Sequence, residues 1–272
     1  MNRRELLHLT AMAALAPGTA ALGAPRASSK GKKGLGMGFR SERWAELLQS
    51  LNCKWFYSWM PTFPPDVPKG MEYIPMIAKD PGNPEVIAKA GQAAKAAGID
   101  HLLGFNEPDQ AKQGNMTVEQ ALAMWPLLEK TGLRLGSPAC VHPDNEWMQA
   151  FMKAAKKQKL RIDFVCVHSY GNDDATKLVK RLEKIEKLYD KPLWITEFAV
   201  GDWSAKSAAA NRYKPDAVLK FMEVILPKLE RLSFVERYAW FPAKPDNPAL
   251  GTSALFDENG KLTNLGECYR DA

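Results

Sequence analysis

From residue 34 onward, short apolar segments alternate with longer segments whose apolar residues recur every three or four positions. Most of the short segments lack a polar–apolar alternation, which is typical of parallel strands that are buried on both faces. The longer segments have the periodicity of amphipathic helices. The pattern predicts strands at residues 35–39, 54–59, 73–78, 101–105, 134–139, 164–168, 193–196 and 237–241.

Several of the predicted helices carry signals at their first residues. Asn83 followed by Pro84 gives an N-cap with proline at the first helical position. Thr117 and Gln120 have the spacing of a capping box ahead of a run with helical periodicity. Pro215 opens a further predicted helix. These signals place helices in the gaps between the predicted strands.

The order of these elements predicts the fold class. Eight strands over about 240 residues leave roughly 30 residues for each strand and its helix, the size of one βα unit. Alternating strands and helices imply a parallel sheet with right-handed crossovers. No G-x-G-x-x-G motif follows any predicted strand, so an open nucleotide-binding sheet is disfavoured. The sequence predicts an α/β fold, a (β/α)8 TIM barrel that forms a single domain over residues 34–272.

Residues 1–33 have the composition of an export signal followed by a short linker. Arg3 and Arg4 precede a modestly apolar run at 6–16, and small residues follow at 18–24. The run is too short to cross a bilayer, which requires about 20 apolar residues. The paired arginines resemble a twin-arginine signal, so we expect a protein exported by that route to the periplasm or the exterior. A frayed cytoplasmic N-terminus is the alternative.

Charge and composition narrow the function classes. Hydrophobic residues make up 46% of the chain and charged residues 25%, as in an ordinary globular protein. Part of the net charge of +6 lies in residues 1–33, and no nucleic-acid-binding motif accompanies the rest. The four cysteines include no C-x-x-C pair, and no His/Asp/Glu cluster has metal-ligand spacing. We therefore expect neither a metal nor a cofactor, while a disulfide stays open.

Two predicted strands end in a glutamate. Glu107 follows the fourth strand, and Glu197 follows the seventh, three βα units later. In a (β/α)8 barrel, these positions face each other across one cleft at the carboxyl ends of the strands. Two facing carboxyl groups, one protonated and one ionised, are the minimal apparatus for cleaving a glycosidic bond. The alternative is that both glutamates are exposed loop carboxylates in salt bridges.

The residues around these glutamates carry a family resemblance. Residues 104–109, Gly-Phe-Asn-Glu-Pro-Asp, and residues 194–198, Trp-Ile-Thr-Glu-Phe, resemble the catalytic motifs of the clan A glycoside hydrolases. They are similar, more narrowly, to those of glycoside hydrolase family 128, whose members are single-domain barrels acting mainly as endo-β-1,3-glucanases. The resemblance implies a retaining mechanism with Glu107 as acid/base and Glu197 as nucleophile. It also implies that Asn106 hydrogen-bonds the 2-hydroxyl of the sugar.

The sixth predicted strand ends in His168-Ser169-Tyr170. In the clan that the motifs resemble, a histidine or an aromatic residue at this position commonly orients the nucleophile. Tyr170 or His168 could therefore hydrogen-bond Glu197. For His168 alone, a buried histidine satisfied by backbone groups is an equal alternative.

Aromatic side chains at the strand ends are candidates for sugar binding, because pyranose rings present C–H faces that stack on aromatic rings. Tyr57 and Trp59 follow the second strand, Trp203 follows the seventh, and Trp240 lies on the eighth. The resemblance implies that Trp240 lies beneath the sugar at the cleavage site. Core packing is the competing interpretation for each of these residues.

The expected partner is a β-1,3-glucan such as laminarin or curdlan, and we expect a monomer that binds neither nucleic acid nor membrane. Two alternatives stay open. The protein could act from chain ends as an exo-hydrolase of β-1,3-glucan or oligosaccharides, or it could be a barrel that binds β-glucan without cleaving it.

Overall fold

The structure is a computed structural model that describes residues 31–272. Most of the predicted export signal therefore lies outside the described residues. Within residues 31–272, no helix has the length and apolar character needed to cross a membrane. The strands are β1 (Lys33–Gly36), β2 (Trp55–Tyr57), β3 (Glu72–Tyr73), β4 (His101–Leu102), β5 (Arg134–Leu135), β6 (Val165–Gly171), β7 (Leu193–Val200) and β8 (Val235–Trp240).

Helices follow most of the strands, as the periodicity predicts. The helices are α1 (Trp44–Ser50), α2 (Glu85–Ala96), α3 (Val118–Glu129), α4 (Glu146–Gln158), α5 (Ala175–Tyr189), α6 (Pro215–Arg231) and α7 (Asn264–Asp271). The capping box at α3 is confirmed. The hydroxyl of Thr117 accepts a hydrogen bond from the backbone amide of Gln120, and Gln120 Oε1 accepts one from the backbone amide of Thr117. Helix α6 begins at Pro215, as predicted.

Parallel strands form the barrel predicted from the sequence. Six strands pair in the order β3-β2-β1-β8-β7-β6, and β4 pairs with β5. Isolated parallel bridges join the two sheets on both sides, between Met76 and Leu103 and between Gly136 and Phe164. The strands thus follow one another around a ring, and the (β/α)8 architecture is confirmed. Their carboxyl ends form one opening, called the mouth below.

The opposite end of the barrel is filled by large buried side chains. The guanidinium of Arg237 lies 4.5 Å from the ring centroid of Trp194 and pairs with Glu72 over 2.5 Å. His101 contacts Trp194 and lies 3.0 Å from an Arg134 nitrogen. Burial, together with Arg237 and Arg134, lowers the pKa of His101 to about 2, so this ring is neutral. His101 opens its strand at the end of the barrel opposite the mouth, which predicts a structural role, and its position agrees with that prediction.

The first strand is tied to the last helices. It begins at Lys33, two residues before the predicted start at residue 35. The Lys33 ammonium donates to the backbone oxygens of Tyr269 and Ala272, each over 2.5 Å. Lys32 donates to Leu229 O and to two neighbouring carbonyls at the end of α6. These lysines satisfy carbonyls that the helix ends leave without partners, so both residues belong to the barrel.

All four cysteines are free thiols, which answers the question that the sequence left open. Cys53 and Cys166 are buried in the core, as their apolar surroundings predict. Burial raises the pKa of Cys53 to about 12. Its thiol therefore stays protonated at neutral pH and is a packing group.

Candidate active site

An irregularity in strand β7 turns Glu197 into the barrel. The register pairs Ile195 with Val167 and then Glu197 with His168, so that Thr196 is passed over. Side chains alternate between the faces of a regular strand, and Trp194 contacts the interior residue Trp55. Without the bulge, Glu197 would lie on the face opposite Trp194. The bulge therefore re-aims the glutamate, as bulges beside active sites commonly do.

Glu107 occupies a left-handed backbone conformation, with φ of +41°. Its amide donates to Ala139 O over 2.8 Å, and its carbonyl accepts from the amides of Gln110 and Gly114. A Cβ at Gly114 would lie 2.4 Å from Asn106 O. The surrounding loop, which includes a glycine that no larger residue can replace without a shift, thus holds Glu107 in a conformation that L-residues rarely adopt.

Three hydrogen-bond donors hold the carboxylate of Glu197. Its Oε1 accepts from the hydroxyl of Tyr57 over 3.0 Å and from Nε1 of Trp59 over 2.8 Å. Its Oε2 accepts from the hydroxyl of Tyr170 over 2.5 Å. The side chain is 6% exposed. This arrangement suits a carboxylate that only accepts hydrogen bonds.

Both tyrosines stay protonated in this environment. Burial, reinforced by the charge of Glu197, raises the pKa of Tyr57 and of Tyr170 well above the ordinary value. A protonated phenol keeps its O–H donor available. Tyr57 and Tyr170 therefore act as donors to Glu197 over the accessible pH range.

His168 lies between the two glutamates and is fully buried. Its Nδ1 is 3.0 Å from Glu107 Oε1, and its Nε2 is 3.5 Å from Glu197 Oε1. Burial, the largest influence, lowers the pKa of His168. The charge of Glu197 and the hydrogen bond and charge of Glu107 outweigh it, so that the pKa is raised. A protonated imidazole between two carboxylates fixes their relative position.

The same three side chains bring potential metal ligands together. One carboxylate oxygen of Glu107, one of Glu197 and a ring nitrogen of His168 all lie within 4.8 Å of one another. This group could hold a metal ion, although the sequence predicts none. The hydrogen bond between His168 Nδ1 and Glu107 Oε1 and the ion pair between His168 Nε2 and Glu197 Oε1 already account for the arrangement.

Asn106 and Asp109, on either side of Glu107, make different contacts. The backbone amide of Asn106 donates a hydrogen bond to Ala78 O. Its side-chain Oδ1 is buried and has no hydrogen-bond partner among the described residues. Asp109 accepts from the Val141 amide and from Asn145 Nδ2. Asp109 thus fastens the loop after β4 to the loop after β5. Asn106 instead presents an unsatisfied polar atom beside Glu107, a position where a ligand hydroxyl could satisfy it.

The structure brings two of the four predicted sugar-binding aromatic residues to the surface of the site. The Trp203 side chain is 66% exposed, and its ring meets the ring of Tyr170 edge-on at 5.8 Å. Trp59 is half-buried, has a φ of +57° and presents its ring beside that of Phe241 at 6.0 Å. Both rings can offer a face or edge to a sugar.

The prediction for Trp240 is wrong. Its side chain is fully buried on the outer face of β8, where it packs against Phe198 and Phe221 and donates to Ser253 O. A sugar at the mouth cannot reach this ring. The strand alternates its faces, so the next residue, Phe241, is the one that lies at the mouth.

The prediction for Tyr57 also needs correction. Tyr57 is fully buried, so its ring is not available for stacking on a sugar. Its hydroxyl instead donates to Glu197 and to Thr196 O. Tyr57 supports the carboxylate from within the barrel, while Trp59, two residues later on the same face, combines a similar hydrogen bond with an accessible ring.

Sequence reasoning missed Phe241 as a site residue. The half-buried ring of Phe241 lies 5.6 Å from that of Tyr170 and 6.0 Å from that of Trp59, above Glu197. The signal that could have found it is the alternation along β8, where the small Ala239 packs in the interior and Trp240 packs outside. Because both faces of β8 are apolar, composition alone does not distinguish them.

Two cavities lie near the mouth of the barrel. One of about 590 Å³ adjoins Trp59 and Phe241, between the segments that follow β1 and β8. Another of about 600 Å³ lies between α6 and the C-terminal segment and contains neither glutamate. Neither glutamate lines the first cavity either, but its wall includes Trp59, whose Nε1 donates to Glu197 Oε1.

Comparisons with known proteins identify the family. Residues 34–269 match the family model described as the glycosyl hydrolase catalytic core. An endo-β-1,3-glucanase of glycoside hydrolase family 128, subgroup I, from Amycolatopsis mediterranei, solved with laminaritriose, is 34% identical. The match covers 88% of this chain and 98% of that one, with a TM-score of 0.73. The chain belongs to glycoside hydrolase family 128. It is therefore a glycoside hydrolase, as the two strand-end motifs imply.

Other relatives of this family 128 hydrolase differ in their mode of action. A subgroup II endo-β-1,3-glucanase from Sorangium cellulosum is 26% identical, with a TM-score of 0.73, and the match covers 89% of this chain and 98% of that one. A subgroup III curdlan-specific exo-β-1,3-glucanase from Blastomyces gilchristii, solved with glucose, is 28% identical, with a TM-score of 0.71 and coverage of 89% and 99%.

A curated relative is longer than this chain. Alkali-sensitive linkage protein 1 of Schizosaccharomyces pombe is 30% identical over an alignment of 224 residues, and the match covers 79% of this chain. The chain spans 39% of the length of that protein.

Proposed function

We propose that this family 128 member hydrolyses β-1,3-glucosidic bonds in polysaccharides such as laminarin or curdlan, with retention of anomeric configuration and mainly within the chain. One observation carries the mechanism: a carboxylate oxygen of Glu107 lies within 4.8 Å of one of Glu197. Retaining glycosidases have carboxyl groups about 5–5.5 Å apart, whereas inverting enzymes leave room for a water between them. The solved endo-β-1,3-glucanase relatives support the linkage.

Glu197 is the nucleophile in this proposal. Its two oxygens accept hydrogen bonds from Tyr57, Trp59 and Tyr170, and these donors orient an anionic carboxylate towards the anomeric carbon. Attack forms a covalent glycosyl ester and breaks the bond to the leaving oxygen. The three donors are in place before the reaction, so little reorganisation accompanies it.

Glu107 is the acid/base. Its hydrogen-bonding contact through Oε1 is with His168, and its side chain is 14% exposed towards the mouth. In the first step, Glu107 gives its proton to the leaving glycosidic oxygen. In the second, it takes a proton from water, which then attacks the anomeric carbon and releases Glu197. His168 contacts both carboxylates and therefore acts as a positioning residue.

Substrate contacts complete the proposal. The unsatisfied Oδ1 of Asn106 beside Glu107 suits a hydroxyl of the bound sugar. The rings of Trp59, Phe241 and Trp203 offer apolar surfaces for the pyranose faces. This combination of a few polar atoms and flat apolar walls is typical of sugar sites.

The test uses the purified protein and laminarin. Glu107→Gln and Glu197→Gln preserve the size of each side chain but remove its acid–base or nucleophilic function. We expect either variant to release reducing ends at least about 10³-fold more slowly than the unmodified protein, as removal of catalytic groups does. Circular dichroism checks that both variants are folded. Near-normal turnover by either folded variant would refute the assignment.

We also propose that the protein is exported and acts as a monomer on β-glucan. Support for export comes from the order of charged, apolar and small residues in positions 1–33. Replacing Arg3 and Arg4 with lysine should retain the full chain in the cytoplasmic fraction, if the twin-arginine route is used. Light scattering on the protein as it leaves a size-exclusion column tests whether it is a monomer, because a dimer would double the measured mass.

A further inference from the structure

We propose that Asp202 is a positioning residue, which fastens the segment after β7 and thereby holds the ring of Trp203 in place for the glucan. This inference rests on the proposed function and assigns a task to a residue that acts through its neighbour. The segment after β7 consists of residues 201–214, which connect Val200 at the end of β7 to Pro215 at the start of α6. Connections between a strand and a helix usually have about two to six residues, whereas loops of more than about 12 are commonly functional or disordered.

The carboxylate of Asp202 joins the two ends of this segment. Asp202 is 3% exposed, and its Oδ1 accepts from the amide and the hydroxyl of Ser204 over 3.1 and 2.6 Å and from Arg212 Nη2 over 2.8 Å. Its Oδ2 accepts from the Arg212 amide over 3.1 Å. A buried carboxylate is costly without such partners, so the segment is held closed around it. The hydrogen bonds from Arg212 and Ser204 hold the pKa of Asp202 well below its usual range, and the carboxylate is therefore ionised at neutral pH.

The segment after β7 is also fastened to the segment that follows β8. The Asp202 amide donates to Ala249 O over 2.9 Å. Asn211, which is fully buried, donates through Nδ2 to Ala249 O over 2.9 Å and to Pro248 O over 3.2 Å. The backbone on both sides of Trp203 is therefore held by hydrogen bonds in which the indole takes no part.

Trp203 is the residue that these hydrogen bonds place. It follows Asp202 directly, its side chain is 66% exposed, and its ring meets the ring of Tyr170 edge-on at 5.8 Å. Tyr170 donates to Glu197, so the ring of Trp203 lies beside a residue that holds the proposed nucleophile. An indole that is two-thirds exposed contributes little to the core. The hydrogen bonds around Asp202 thus fix a ring whose accessible face is available to a ligand.

A fastened segment lowers the cost of binding. Loops and side chains that become ordered on binding reduce affinity, and a ring that is already held in its bound position avoids that cost. A sugar stacked on Trp203 would then keep most of the free energy of the contact. If the segment were loosened, the ring would turn away more often and KM would rise. The effect on kcat should be smaller, because Trp203 is not among the donors to Glu197.

Asp202→Asn is the direct test, because it keeps the size of the side chain and removes the charge that Ser204 and Arg212 bind. We expect it to raise KM for laminarin about two- to tenfold, as for Trp203→Ala, with a smaller change in kcat. The double variant Asp202→Asn/Trp203→Ala shows how the effect arises. Its KM should lie within about twofold of that of Trp203→Ala, since Asp202 acts through the ring, whereas independent effects would multiply.

Arg270→Gln is the control. It removes a surface ion pair with Asp271 on α7. The backbone oxygen of Arg270 accepts from Lys33 at the start of β1, which places the pair at the end of the barrel opposite the mouth. This variant should leave KM and kcat unchanged, alone and combined with Trp203→Ala.

Multiplied effects in the double variant would overturn the positioning role, and so would an unchanged KM in folded Asp202→Asn or in Trp203→Ala. If Asp202→Asn does not fold, Arg212→Gln replaces it in the same comparison. The Arg212 side chain is 62% exposed, so its removal costs little packing. It should raise KM without adding to Trp203→Ala, and multiplied effects would again overturn the role. Absence of laminarin cleavage by the unmodified protein would instead refute the proposed function.

Discussion

The hydroxyl of Tyr170 donates a hydrogen bond to Glu197 Oε2 over 2.5 Å, and burial keeps that hydroxyl protonated. Tyr57 and Trp59 donate to the other oxygen, so both oxygens of Glu197 have fixed partners. The carboxylate is therefore oriented before any substrate arrives.

Tyr170→Phe removes one of these donors and leaves the ring. A hydrogen bond to a charged group contributes roughly 1.5–3 kcal/mol, which corresponds to about a ten- to hundredfold loss of kcat. Steady-state kinetics on laminarin measures this loss, and we expect KM to change less than kcat. Tyr189→Phe serves as the control, because its hydroxyl donates to Pro143 O away from the glutamates. Equal losses in the two variants would contradict the role of Tyr170.

The raised pKa of His168 leads us to expect that activity declines on the alkaline side of the pH profile. Its pKa is raised because Glu197, Glu107 and Asp109 outweigh the effect of burial. Protonated His168 holds the two glutamates, so activity should fall as pH rises through this raised pKa. His168→Gln should lower kcat and remove that decline, whereas His142→Gln, at an exposed position beyond β5, should keep it.

The same group links pH to stability. A pKa that is higher in the folded state means that His168 stabilises the fold fully below its unfolded pKa, and that this stabilisation is lost as pH rises through the folded pKa. Urea unfolding of the unmodified protein and of His168→Gln should therefore differ in pH dependence over this interval. Identical pH dependence would show that His168 is not protonated between the carboxylates.

Trp203 tests the contact with substrate away from the reacting bond. Its 66% exposed side chain has little packing to lose, so Trp203→Ala should leave the free energy of unfolding nearly unchanged. Loss of a sugar–aromatic contact of roughly 0.5–1.5 kcal/mol should raise KM about two- to tenfold. We expect a smaller change in kcat, since Trp203 meets Tyr170 edge-on and is not among the residues that donate to Glu197. A lowered kcat at unchanged KM would contradict a binding role.

Alanine substitutions at the adjacent residues Trp240 and Phe241 should distinguish a residue that packs in the core from one that contacts the substrate. Trp240→Ala removes a fully buried side chain and should lower the free energy of unfolding by about 3–5 kcal/mol. Phe241→Ala removes a half-buried ring at the mouth and should raise KM for laminarin with a smaller loss of stability. Chemical denaturation and kinetics on both variants measure the difference. The reverse pattern would mean that Trp240 contacts the sugar.

Much of the barrel could be predicted from the sequence, because each βα unit contains its own periodicity and helix signals. The eight strands and the capping box at Thr117 follow from such local patterns. The faces of the strands could not be assigned in this way. Both faces of β8 are apolar, so composition does not distinguish Trp240 from Phe241, and the prediction falls on Trp240, one residue before the ring that lies at the mouth.

The candidate site shows the same division. Its residue types follow from the motifs, but their hydrogen bonds depend on details that no local pattern reports. The bulge that skips Thr196 turns Glu197 inwards, and β2 brings Tyr57 under it from another part of the barrel. Tyr57, which the sequence predicts as a stacking residue, is therefore a hydrogen-bond donor to Glu197 in the structure.

The stereochemistry of the first product tests the central claim most directly. Glu107 and Glu197 approach within 4.8 Å, a separation that suits a covalent intermediate and two successive displacements. Proton NMR during early hydrolysis of a laminari-oligosaccharide distinguishes the anomers before mutarotation mixes them. The account predicts that the β anomer of the new reducing end appears first. First appearance of the α anomer would show a single displacement by water and would contradict the proposed roles of both glutamates.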